Sequence, residues 1–140
     1  MIRVAPDGTL RLGTTAQILV EPRLVDQPVE LRYSTADPFA VTLCFLPGRD
    51  AARGISWRLD REALAGGHVA GALCGDVRVT RLDALGLVIV ELVPGTIAAT
   101  VVRFPADAVD EFLAAAYDAV PRGDESVDLD GLITRILGAA

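Results

Sequence analysis

Lysine and asparagine are both missing from this chain, histidine occurs once, cysteine twice, and aromatic residues make up only 5%. Each scarcity removes a class of chemistry. With every one of the 13 basic residues an arginine, there is no amine for a Schiff base, no phosphate-loop lysine and no lysine general base. The lone histidine, His68, follows Gly66-Gly67. It would have to serve as base to Ser56 or Ser34, yet neither serine sits in a Gly-x-Ser-x-Gly setting, so it reads as an exposed turn residue. Cys44 and Cys74 form no zinc motif and do not point to an oxidising compartment. Cys44 lies in an apolar strand pattern, where a free thiol behaves as a small hydrophobe.

Long hydrophobic runs are also lacking. The strongest, around Leu85 to Val93, is interrupted by Glu91 and is too short to span a bilayer. The opening MIRVAPDGTL carries no apolar segment of the kind a secretory signal needs, so the chain reads as cytoplasmic with no direct membrane insertion. A formal charge of −6 makes phosphate backbones and anionic lipid poor first candidates for partners. Scattered carboxylates with one histidine supply no spaced metal set, and no glycine-rich phosphate cradle is present. No cofactor, metal or catalytic residue is therefore expected.

What the chain does have is apolar content. At 140 residues, 51% of them apolar, it is most simply one domain, 1–140. The mean hydropathy of +0.41 is high for a monomer and suggests surface buried against another subunit.

Period-2 alternation dominates the first hundred residues. Residues 1–13 read as a short strand or arm with a turn at Pro6–Gly8. AQILVEPRLV is interrupted by Pro22, suggesting an edge or bulge. VELRY places Val29, Leu31 and Tyr33 on one face with Glu30 and Arg32 on the other. FAVTLCFL reads as a strand covered on both sides, and ISWRL points Ile55, Trp57 and Leu59 inward. Asp60 is placed to cap a short helix closed by Gly66-Gly67. DVRVTRL faces Val77 and Val79 in, and two further strands flank the Pro94-Gly95 turn. The period then becomes helical: Val109, Phe112, Leu113, Ala116 and Val120 form one face after Pro105. A second helix near Asp128 carries Leu129, Leu132, Ile133, Ile136 and Leu137 as a stripe. Strands first and helices last predict an α+β fold, a mostly antiparallel or barrel-like sheet with two C-terminal helices.

Arg32, Arg58, Arg78, Arg81 and Arg103 could line a nucleic-acid stripe, but the simpler reading is the solvated face of antiparallel strands. Asp107, Asp110 and Glu111, then Asp124, Glu125, Asp128 and Asp130, suit helix starts. The polar corner Ser34-Thr35-Ala36-Asp37-Pro38 reads as a turn, with Asp37 pushed to extended backbone by the following proline.

The stretch Leu31-Arg32-Tyr33-Ser34-Thr35-Ala36-Asp37-Pro38-Phe39-Ala40-Val41 resembles the signature of the SsgA-like proteins, actinomycete factors of sporulation-specific cell division. Trp57 to Leu64, Gly75-Asp76-Val77-Arg78-Val79, Phe112-Leu113 with Val120-Pro121, Asp128-Leu129-Asp130 and Ile136-Leu137 are similar to further family elements in the same order, covering about residues 15 to 138. The chain departs from the family pattern at Ser34, where aspartate is common, at Thr96 to Ala99, and in the extension 1–13. The resemblance implies a whirly-like fold in a bell-shaped homotrimer and a non-enzymatic adaptor role at division septa, with FtsZ or other SsgA-like proteins as partners. It makes Tyr33, Thr35, Asp37 and Pro38 the candidates either for binding a partner or for building the signature turn alone. The alternative is a single-stranded nucleic-acid-binding protein of the same fold.

Overall fold

The computed structural model describes residues 2–47, 55–66, 73–74, 77–93, 100–126, 133 and 136–138. Its strands are β1 (Ile2–Val4), β2 (Leu10–Val20), β3 (Arg23–Tyr33), β4 (Ala40–Phe45), β5 (Ile55–Asp60), β6 (Leu73–Cys74), β7 (Val77–Leu82), β8 (Leu87–Leu92) and β9 (Thr100–Pro105). Two α-helices, α1 (Arg61–Gly66) and α2 (Ala106–Ala119), and a 3-10 turn at Asp83–Leu85 complete the described elements. All pairings are antiparallel, in the order β5-β4-β3-β2-β9-β8-β7-β6, with β1 added beside β2. The sheet curls into a half-barrel and α2 lies against β1, β2, β8 and β9. This is the expected α+β class.

The alternating residues decide which face is buried. Val29, Leu31 and Tyr33 of β3, Val41 and Leu43 of β4, and Val77 and Val79 of β7 are all within the core. Val109, Phe112, Leu113 and Ala116 of α2 close it from the helix side. Phe112 is fully buried, so truncating it to alanine would cost about 3–5 kcal/mol. The helix begins after Pro105, whose φ of −63° suits the entry. It stops at Val120, held extended before Pro121.

Asp60 caps α1 as its position predicts: its Oδ1 accepts the Glu62 and Ala63 amides at 2.8 and 3.1 Å. Gly8 (φ +87°) closes the Pro6–Gly8 turn that lets β1 fold back onto β2. Its left-handed backbone is one that a β-carbon disfavours.

Several expectations change. Pro22 marks neither an edge nor a bulge; it lies in the tight turn joining β2 to β3, where Val20 pairs with Arg23 and a residue without an N–H costs no ladder bond. Phe39 precedes β4 and is half exposed, and Ile55 lies exposed at the start of β5. Residues 133 and 136–138 are helical, as the second period predicts. Ile133, Ile136 and Leu137 are nevertheless more than half exposed and do not join the core. His68, the Pro94-Gly95 turn, Thr96 to Ala99, Leu129 and Leu132 lie outside the described residues. No helix among the described residues is long and apolar enough to cross a membrane.

Candidate functional site

The signature corner connects β3 to β4, and its backbone bonds inward. Asp37 N–H donates to Ser34 O at 3.0 Å, Ala36 N–H to Ser34 Oγ at 3.2 Å, and Ala40 N–H to Asp37 O at 3.3 Å. Tyr33 lies beneath it in the core and its hydroxyl donates to the Pro38 carbonyl at 3.1 Å. The four candidate residues therefore divide. Tyr33 and Pro38 are buried and build the corner, whereas Thr35 is exposed and Asp37 half exposed. Asp37 pairs with Arg58 of β5 at 2.5 Å, an exposed pair of small energetic weight.

Under Tyr33 sits a residue that sequence reasoning missed. Arg61, the first residue of α1, is 1% exposed. A buried guanidinium must be matched to acceptors, and both terminal nitrogens of this one are, while its Nε has no acceptor among the described residues. Nη1 donates to the Tyr33 hydroxyl (3.0 Å) and to the Ala116 (3.3 Å) and Val120 (2.8 Å) carbonyls, and Nη2 donates to Glu125 Oε1 (2.6 Å). Its carbon lies 4.1 Å from the Tyr117 ring centre and 5.4 Å from that of Tyr33, so both tyrosines of the chain stack against one cation. Its position also places positive charge at the C-terminal end of α2, where the helix dipole favours it. Arg61 N–H donates to Phe39 O at 2.9 Å, which closes the connection between corner, α1 and α2.

A second layer surrounds it. Glu62 accepts from the Tyr117 hydroxyl (3.0 Å) and Arg122 Nε (2.9 Å). The Arg122 bond, with help from Tyr117, holds the Glu62 carboxyl below the usual range. Glu125 is lowered as well, first by its own backbone amide; burial opposes this as the next largest effect, and the Gly123 amide and Arg61 add to the lowering. Burial pushes both tyrosine hydroxyls up. The sequence signal that was available is a charged residue between a cap and small helix residues. It needed tertiary partners to be interpretable.

Of the arginines read as a possible stripe, each has an anionic or polar neighbour, although Arg78 stands 3.7 Å from its own, beyond hydrogen-bond range. Arg32 meets Glu30, Arg58 Asp37, Arg78 Glu91, Arg81 Asp110, and Arg103 bonds Gln17. Among the described residues no cluster of three or more His, Cys, Asp or Glu could hold a metal. Cys44 is buried and free.

The fold and this site define a small α+β protein in which a curled antiparallel sheet and the helix α2 are locked to one polar corner by a buried arginine. The model of the SsgA family, described as Streptomyces sporulation and cell division protein, matches residues 27–125, and the chain belongs to that family. It is 37% identical over 134 residues to the sporulation-specific cell division protein SsgB of Saccharopolyspora erythraea, covering 92% of each chain. It is 37% identical over 114 residues to SsgB of Streptomyces coelicolor, covering 79% of this chain and 81% of the relative. The crystal structure of an SsgA-like sporulation-specific cell division protein from Thermobifida fusca superposes with TM-score 0.76 at 28% identity, over 91% of this chain and 95% of that one. A structure reported with SsgB mutations that correlate to longitudinal division during Streptomyces coelicolor sporulation gives TM-score 0.70 at 32% identity, over 84% and 93%.

Proposed function

We propose that this protein is a non-enzymatic adaptor of sporulation-specific cell division, a homotrimer of whirly-like protomers that helps recruit the FtsZ septation machinery, or other SsgA-like proteins, to the septum. The observation that carries the reading is the near full-length match to a relative named sporulation-specific cell division protein SsgB. The corner supports it: Tyr33, Pro38 and Arg61 hold its base, leaving Thr35 and Phe39 outward on a rigid support. Rigid presentation lowers the ordering cost of binding a partner. Exposed Leu19, Val20, Leu24 and Val25 at the far end of the β2–β3 hairpin offer apolar area for neighbouring subunits.

Co-sedimentation with polymerised FtsZ from the same organism at physiological salt, with light scattering for the oligomer, tests the reading. Saturable pelleting of a trimer is the expected result. A protein that stays in the supernatant at every concentration overturns direct recruitment.

A further inference from the structure

Strand register assembles a charge pattern that is not visible along the chain. Arg3 pairs with Arg11, Arg11 with Arg32, Arg32 with Thr42, and Thr42 with Arg58. Four arginines and one threonine thus form a single row across β1, β2, β3, β4 and β5. At the usual strand spacing this row is roughly 19 Å long. Like charges directly opposite one another on a sheet destabilise it, so the arrangement calls for compensation.

Among the described residues three carboxylates provide it: Glu30 and Asp37, and Asp7 of the turn between β1 and β2, which is near enough to Arg11 to feel its charge. Glu30, almost fully buried, faces Gly13 on one side and Cys44 on the other. It accepts from Arg32 Nε at 2.5 Å and Arg3 Nη2 at 3.3 Å, while Arg11 Nη1 stands 3.7 Å away. That last distance is beyond hydrogen-bond range, and Arg11 Nε has no acceptor among the described residues. Asp37 answers Arg58. Four cations against Glu30, Asp37 and Asp7 leave the row with an excess of one positive charge among the described residues, in a chain whose total is −6. Beside it lies an open cleft of about 270 Å³ lined by Thr9, Arg11, Arg32, Ser34, Asp37 and Thr42. Hydroxyl donors therefore flank the underused guanidinium, and the cleft borders the signature corner.

We infer that this row is the docking site for an acidic segment of a protein partner, an Asp- or Glu-bearing stretch whose carboxylates bind Arg11 and Arg32 in the cleft and extend toward Arg58. The inference rests on the adaptor reading and gives its partner a chemistry. Arginine forks match carboxylates in two-point geometry, and a local reversal of sign steers and orients an acidic partner. A nucleic acid fits less well. The cleft has Tyr33 as its only aromatic, and that ring is buried against Arg61, so it provides no stacking platform.

The test measures anisotropy of a short fluorescein-labelled polyglutamate peptide with the full chain at low and high salt, and in competition with a single-stranded oligonucleotide. Binding that weakens with salt is expected to fall on the order of tenfold in the Arg11→Gln/Arg58→Gln double variant. Arg122→Gln, whose arginine pairs with Glu62 instead, is expected to bind as the parent does. This design leaves the Arg32–Glu30 pair intact, and circular dichroism of the variant verifies folding. Equal peptide binding by parent and double variant, or no binding at low salt, overturns the site. An oligonucleotide that displaces the peptide and binds more tightly overturns it in favour of nucleic acid. The same proteins in the FtsZ pelleting assay separate the two readings. A parent that binds peptide through the row but does not pellet refutes FtsZ recruitment alone. A parent that pellets, while neither it nor the double variant binds peptide, refutes the acidic-segment site alone.

Discussion

The Arg61 guanidinium lies 4.1 Å from the centre of the Tyr117 ring and donates past it to the Val120 carbonyl at 2.8 Å. One side chain from the start of α1 thus terminates α2. Replacing it with methionine removes the cation paired with Glu125 and the side-chain donor to the Val120 and Ala116 carbonyls, and the expected loss is about 3–5 kcal/mol. Arg61→Lys keeps the charge but not the fork and should fall between. Urea unfolding at neutral pH measures both; a methionine variant within about 1 kcal/mol of the parent would show that the lock carries little stability.

Tyr33→Phe removes only the hydroxyl that accepts from Arg61 and donates to Pro38. The buried Pro38 carbonyl then loses this donor, while Arg61 Nη1 keeps the Ala116 and Val120 carbonyls, and the loss costs about 1–3 kcal/mol. The same denaturation experiment reads this effect, and loss of protection at the Asp37 amide would locate it to the corner.

Asp60→Ala strips both capping bonds from a six-residue helix. The expected loss is about 1 kcal/mol, with Asp60→Asn recovering most of it. If thermal unfolding of the alanine variant matched the parent, the cap would be dispensable.

Glu62 and Glu125 both have carboxyls lowered in the folded state. Groups of this kind contribute stability that is present above the ordinary carboxylate range and is lost as pH falls through the lowered folded values. The parent should therefore lose stability progressively in acid, and Glu125→Gln should lose less over that interval because one of the titrating groups is gone. Melting temperatures from neutral pH downward provide the check. Parallel curves for parent and variant would count against the Arg61–Glu125 pair as an acid-sensitive contact.

Thr35 and Phe39 point outward from the corner. Thr35→Ala and Phe39→Ala should each change stability by no more than about 0.5 kcal/mol. Under the proposed function they weaken FtsZ co-sedimentation. Unchanged pelleting by the pair combined would move the contact elsewhere, with the arginine row the first alternative.

Much of the fold was legible because its signals are local. Val29, Leu31 and Tyr33 alternate, Val109, Phe112, Leu113 and Ala116 recur at helical spacing, and Asp60 stands where a cap belongs. The corner was readable as a turn for the same reason. Arg61 was not, since its partners Tyr33, Ala116, Val120 and Glu125 lie 28, 55, 59 and 64 residues away. A charge beside a helix cap reads as solvated until those partners are known. The arginine row failed for a related reason: it is a property of register. Arg3 and Arg11 fall in the stretch read as an arm, yet pairing with β2 and β3 puts them beside Arg32.

The Arg61 lock also shapes how the molecule breathes. Segments joined by a single buried cation cannot fray independently, because releasing the end of α2 exposes a charge that the corner still encloses. The amides of the corner and of the last turn of α2 are expected to open together in hydrogen exchange, the corner exchanging far more slowly than an unanchored surface loop.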